Sequence, residues 1–255
     1  MLETARNLAG DYPPHRLAPE ILDPESSFDD MIAFFTKVQE DCKPTSSPGF
    51  PWSRLEGTKG AIIAKHSRFL AVITTWRYVV MTTMDISHLT LRESMAYGVT
   101  EIYDVITKNE PHPERKSLQG LWRIVFMAGI SNECLHRGIF GPGNKAEIRK
   151  WTQIPSKPGM GAEDIDNEVL RSNIREIAEG LEGLEANVVG TDVSAWDTNF
   201  RALFFECFIL IRSLNGRWSN IPHLMLFANN LKYHSFTRKV LGMPDGSLYN
   251  LIVDG

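Results

Sequence analysis

Apolar positions recur at helical spacing after Ser27, where Phe28, Met31, Ile32, Phe35 and Val38 share one face and Asp29 and Asp30 fall in the first turn. Ser27 stands at the N-cap position, so the pattern predicts a helix beginning at Phe28. From Lys43 to Trp52, prolines and serines break any period. His66 to Met84 reads as a buried helix, with a strand pair as the alternative because many of its residues are β-branched. Ile102–Thr107 and Leu121–Met127 are short, apolar and β-branched, and predict strands. Helices are predicted at Asn132–Phe140 and Glu163–Glu179, the second with a charged outer face. An apolar strand over Asn187–Val193 and a helix over Phe200–Leu214, closed by Gly216, come next. Asp245 and Gly246 predict a hairpin turn near the end. These elements make an α+β chain.

Composition narrows the class. The 255 residues are 43% hydrophobic and 23% charged, which suits a folded, soluble protein with a sizeable core. A net charge of −4 excludes a uniformly basic nucleic-acid coat and leaves room for a local basic channel. Cys42, Cys134 and Cys207 are far apart and form neither a disulfide framework nor a zinc pattern, consistent with a reducing cytoplasm. The first residues lack the apolar core of a secretory signal, and Arg77 interrupts the most apolar stretch, Phe69–Met84, so no transmembrane segment is expected.

Candidate chemistry lies in four places. In VVGTDVSAWDTNF, Asp192 ends the predicted strand and Asp197 precedes the predicted helix. A carboxylate at a strand end can hold a divalent cation, and oxygen ligands suit Mg²⁺, with Mn²⁺ as the alternative. The same two residues also read as a turn aspartate and an N-cap. ITKNEPHPERKSLQGLWRI places Lys108, Arg115, Lys116 and Arg123 between two predicted strands, where they can meet a triphosphate or form a solvated hairpin. Glu110 is expected to pair with a neighbouring cation and His112 to be structural. In PTSSPGFPWSRL, residues 44–55, Phe50 is expected to pack and Trp52 to stack on unpaired nucleic-acid bases, unless the peptide is only a rigid surface loop. In WTQIPSKPGMG, residues 151–161, Lys157 can meet nucleic-acid phosphates, with Gly159 and Gly161 allowing close approach, or can simply be solvated. Lys145, Arg149 and Lys150 extend a positive strip beside it.

In order and spacing these segments resemble the viral RNA-dependent RNA polymerases of positive-strand RNA viruses, in particular the sobemovirus, polerovirus and barnavirus group. D-V-S-A-W-D is similar to that family's motif A, with Ala195 where a glycine is usual, and K-x-E-P-H with W-R-I is similar to its motif F. The resemblance covers roughly residues 40–255. It implies a right-hand polymerase fold, with fingers and N-terminal region over 1–186 (motif F about 106–125) and the start of the palm over 187–255 (motif A at 192–197). It further implies that Asp192 binds catalytic metal and that Asp197 reads the ribose 2′-hydroxyl. Lys108, Arg115 or Lys116, and Arg123 would contact the incoming ribonucleoside triphosphate. RNA template and nascent RNA would be partners, a protein primer and other viral replication proteins are further candidates, and the setting would be a replication complex in the host cytoplasm.

Motif B and the G-D-D of motif C are absent from these residues, so the chain taken alone is expected not to turn over. A non-catalytic RNA-binding protein derived from polymerase fingers is the alternative function. A helical interaction protein without a nucleic-acid role is the third.

Overall fold

The computed structural model describes residues 2–108, 110–111, 114–120, 122–158, 164–181, 202–233 and 238–252. Its helices are α1 (Leu2–Gly10), α2 (Pro19–Leu22), α3 (Phe28–Val38), α4 (Lys59–Thr83), α5 (Leu91–Ala96), α6 (Glu114–Leu118), α7 (Ile130–Arg149), α8 (Asp164–Gly180), α9 (Ala202–Asn215) and α10 (Pro222–Leu231). Its strands are β1 (Ile102–Thr107), β2 (Ile124–Met127), β3 (Arg238–Gly242) and β4 (Leu248–Ile252), in sheet order β2-β1-β3-β4. The mixed helix and strand content agrees with the predicted α+β class.

Helix α3 starts where its pattern predicts: the Asp30 N–H donates to Ser27 Oγ at 3.1 Å, and Met31, Phe35 and Val38 are buried. The segment around His66 to Met84 is a helix, not a strand pair, and it begins at Lys59 because Thr58 Oγ1 caps it by accepting the Ala61 N–H at 3.3 Å. A kink at His66 (φ −131°, ψ 18°) hides this earlier turn from the periodicity. Threonines that argue for a strand are accommodated in the helix by back-bonding. Thr74 and Thr82 donate to the Leu70 and Tyr78 carbonyls, each at 2.8 Å. Because α4 is apolar on several sides, α3, α7 and α10 can all pack on it, around Phe35, Leu70, Met81, Leu135 and Phe227.

Asn230 ties α10 to the end of α4. Fully buried, it donates from Nδ2 to the Met81 and Met84 carbonyls at 2.9 and 2.8 Å, and its Oδ1 accepts the Ile86 N–H at 3.1 Å. One side chain thereby satisfies carbonyls that the helix end leaves open.

Helix α7 continues past its predicted end at Phe140, through Gly141, Pro142 and Gly143, to Arg149. The glycines serve close packing. A Cβ at Gly138 would stand 2.9 Å from Phe35 Cε1, and one at Gly143 would stand 2.5 Å from Arg212 Nη1. Helix α9 ends as predicted, but Arg217 holds the left-handed conformation (φ 57°), while Gly216 makes room for Trp218, whose Cδ1 would lie 2.5 Å from an added Cβ.

In the sheet, β1 pairs antiparallel with β2, with Val105 opposite Phe126, and parallel with β3, with Tyr103 opposite Leu241. The β3–β4 hairpin turns where predicted, with Gly246 at φ +88° and Asp245 Oδ1 accepting the Ser247 N–H at 2.9 Å. Helix α8 carries the predicted charged face, and its apolar residues Leu170, Ile174 and Ile177 are exposed. The predicted strand over Asn187–Val193 lies outside the described residues. No described helix is long and apolar enough to cross a membrane.

Candidate functional site

The basic segment between β1 and β2 is a hairpin whose two arms are joined by one carboxylate. The Lys108 N–H donates to the Arg123 carbonyl at 2.8 Å, continuing the ladder one step beyond Thr107 and Ile124. Glu110 then accepts Lys108 Nζ at 2.7 Å on Oε2 and Arg123 Nη1 at 2.9 Å on Oε1, which places both cations together at the mouth of the hairpin. The hydrogen bond from Lys108, with that from Arg123 beside it, holds the Glu110 carboxyl below the usual carboxylate range. Its expected internal pairing is therefore present. Lys108 and Arg123 keep 44% and 64% of their side chains exposed, enough to meet a ligand. Arg115 is exposed on α6, beside Lys116 in the sequence; the Lys116 side chain and His112 lie outside the described residues.

The base of this hairpin is anchored in the core. Arg77, on α4 and 2% exposed, forms a buried ion pair with Glu101, the residue before β1, and donates from Nη2 to the Val99 carbonyl and to Asn132 Oδ1, each at 3.3 Å. Ser131, at the start of α7, donates to the same Glu101 oxygen. Asn132 Nδ2 donates to Tyr103 Oη at 3.2 Å. The strand entering the hairpin and the helix following it thus share one buried guanidinium.

The proline-rich peptide packs under the hairpin's exit. The Ile130 N–H donates to the Pro48 carbonyl at 2.8 Å, and Gly49 (φ +66°) lies so close to β2's end that a Cβ there would be 2.3 Å from the Ala128 carbonyl oxygen. Trp52 corrects an expectation. It is 3% exposed, donates from Nε1 to Ser131 Oγ at 3.4 Å and meets the Phe69 ring edge-on, so it is a core residue with no face turned to a base, while Phe50 is half-buried. Burying an indole removes a large apolar surface from water, which outweighs leaving it open for stacking. Lys157 Nζ donates to the Ile154 and Thr152 carbonyls at 2.9 and 3.2 Å, folding the loop on itself.

A cleft of about 740 Å³ opens beside β2's end and one face of α7. Lys59 and Arg137 both contact Glu133 there, at 2.5 and 2.8 Å, leaving one positive charge in excess, and Phe140 with Phe205 and Phe208 of α9 supply an aromatic wall. Nearby His136 has its Nε2 shielded and without a hydrogen-bond partner, and burial, reinforced by Arg77, pushes its pKa down to about 4. Sequence reading missed Lys59, Glu133 and Arg137. Only the Glu133 to Arg137 spacing of one helical turn signalled a pair, and Lys59 is separated from them by the whole hairpin.

Asp192, Asp197, Gly159 and Gly161 lie outside the described residues, and among the described residues no cluster of three His, Cys, Asp or Glu could hold a metal ion. Helix α9, which follows the aspartates in the chain, does reach the cleft through Phe205 and Phe208.

The family model for viral RNA-directed RNA polymerase matches residues 31–175, more than half of the chain and spanning the proline-rich peptide, the hairpin and the Lys157 loop. The chain belongs to the viral RNA-directed RNA polymerase family. Among similar proteins, the replicase polyprotein P2AB of Southern cowpea mosaic virus is 30% identical over 226 residues, covering 88% of this chain and 23% of that polyprotein. The RNA-directed RNA polymerase of Mushroom bacilliform virus is 27% identical over 222 residues, 86% of this chain and 51% of that protein. Protein P1-P2 of Turnip yellows virus is 29% identical over 135 residues, half of this chain and 13% of that protein. The chain therefore spans only a minor part of the first of these polymerase relatives. The family match ends at residue 175, before Asp192 and Asp197.

Proposed function

We propose that this chain is the fingers region, residues 1–186, and the start of the palm, residues 187–255, of a right-hand RNA-directed RNA polymerase that copies viral RNA. The observation carrying this reading is the Glu110 bridge, which holds Lys108 and Arg123 side by side in the segment that resembles motif F, within the matched residues 31–175. A ribonucleoside triphosphate entering there competes with Glu110 for two cations already gathered at one point, so little ordering is left to do on binding. Arg123 offers a planar fork for phosphate oxygens, Lys108 a compact charge, and Arg115 and Lys116 add positive field. Asp192 is the proposed ligand for Mg²⁺ or Mn²⁺, which would neutralise the triphosphate, and Asp197 the proposed ribose contact. Lys157 would meet the template where its loop opens. RNA template, nascent RNA, a protein primer and further replication proteins are the proposed partners, in a replication complex of the host cytoplasm.

Photo-labelling of the purified chain with an azido ribonucleoside triphosphate tests the hairpin. Arg123→Ala and Lys108→Ala should each weaken labelling about tenfold or more, the scale of a lost charged hydrogen bond. Labelling equal to the parent's in the double variant would refute the assignment. For the palm segment, Asp192→Ala introduced into a polymerase carrying this sequence should abolish template-directed incorporation.

A further inference from the structure

A second cleft, of about 730 Å³, lies on a further face of α7 that shares Arg137 with the first, between that helix, α3 and the segment around Arg16. We propose that it binds the phosphate backbone of single-stranded RNA outside the nucleotide site, an inference that rests on the RNA polymerase reading above.

Its charge is the first reason. Arg16, Lys37, Arg137, Lys145 and Arg149 line it against Glu20, Glu40 and Asp41, a local excess of +2 in a chain whose overall charge is −4. Asp41 is already engaged by Lys145 at 2.6 Å, and Arg137 by Glu133 at 2.8 Å. Arg16, Lys37 and Arg149 are exposed and form no ion pair among the described residues, so three cations face the cleft's solvent against the two carboxylates of Glu20 and Glu40. His15, also at the wall, adds no charge near neutral pH, because burial and then Arg212 lower its pKa.

Shape is the second reason, and it selects the ligand. Arg137, Lys145 and Arg149 are spread along twelve residues of one helix, roughly 18 Å at 1.5 Å per residue. A single phosphate or a lipid headgroup would engage one point of such a row, whereas a chain with a charge at every repeat can engage all of it. The floor is open at Gly141 of α7, where an added Cβ would meet nothing nearer than Arg137 Cβ at 3.9 Å, so a backbone can approach the helix closely. Arg137 lines both clefts, making this row continuous with the one beside the hairpin's base.

The test is the salt dependence of binding of a labelled 20-nucleotide oligouridylate to the 255-residue chain, between 50 and 200 mM salt. Each phosphate contact on a single strand contributes about 0.7 to the slope of log K against log salt. Substituting Arg16→Gln, Lys37→Gln and Arg149→Gln together should lower the slope by about 2, and the charge-preserving Arg16→Lys, Lys37→Arg and Arg149→Lys should restore it. Triphosphate labelling at the hairpin should be unchanged in both. All three side chains are exposed, and the single substitutions, each lowering the slope by about 0.7, give the same reading if the triple variant melts early. An undiminished slope in the glutamine variants, with the parent still binding RNA, overturns this inference and leaves the polymerase reading intact. No RNA binding by the parent at low salt overturns both. Polyglutamate that binds the same residues while RNA fails to compete would assign the cleft to an acidic protein and overturn the RNA proposal.

Discussion

Replacing Glu101 by Gln should uncouple the basic hairpin from the core. The Arg77 guanidinium would keep its hydrogen bonds to the Val99 carbonyl and Asn132 but lose the carboxylate that neutralises it, in a site where Arg77 is 2% exposed. Stranding a buried charge in this way costs about 3–5 kcal/mol, a large part of the 5–15 kcal/mol that holds a typical domain folded. Arg77→Met should cost a similar amount by stranding Glu101, whose Oε2 already lacks a hydrogen-bond partner. The double variant Arg77→Met, Glu101→Leu removes both charges, so its loss should fall at least 2 kcal/mol short of the sum of the singles. Urea unfolding followed by circular dichroism measures this cycle. With slopes of about 1–3 kcal/mol per molar urea, a 4 kcal/mol loss moves the midpoint by more than 1 M. Because Glu101 immediately precedes β1 and Ser131 and Asn132 follow β2, triphosphate labelling at Arg123 should also weaken in Glu101→Gln below its unfolding midpoint. Strictly additive single losses would refute the claim that these two charges form one buried unit.

Asn230→Ala should leave the Met81 and Met84 carbonyls and the Ile86 N–H without their partner, costing about 3 kcal/mol and roughly 6–12 °C in calorimetric Tm, while Asn229→Ala, on the exposed side of α10, should change little. Gly49→Ala should lose at least about 2 kcal/mol, because φ +66° disfavours a side chain and the new Cβ would collide with the Ala128 carbonyl; a soluble variant with parental Tm would contradict the packing of the proline-rich peptide. His136, with a folded pKa near 4 against about 6.5 unfolded, stays neutral in the fold while the unfolded chain takes up a proton. Stability should therefore be full above pH 6.5 and fall as pH drops from 6.5 to 4, by up to about 3 kcal/mol. His136→Gln should flatten that part of the profile in urea titrations, and an unchanged slope would count against the burial.

Much of the helical framework was legible because amphipathic spacing reports a one-sided core directly. The start of α3 after the Ser27 cap, the strand over Ile102–Thr107, the Asp245-Gly246 turn and the pairing of Glu110 with a neighbouring cation all follow from residues close in sequence. Element ends were less legible. Gly141, Pro142 and Gly143 signal a break to any local reading, yet α7 passes through them, with Arg212 and His15 packed close against Gly143. Trp52 looked available for stacking because a proline-rich surface loop and a loop folded onto the core read alike.

Local sequence by itself pointed to the family and to the cations of the hairpin, since both depend on residue types at fixed short spacings. Tertiary structure alone decided that Arg77 would meet Glu101, that Lys59 would join Glu133 and Arg137, and that β1 would pair with β3 more than a hundred residues later. Those contacts bring together residues that no local period relates. They form because buried charges and open strand edges must find partners wherever the packed helices place them.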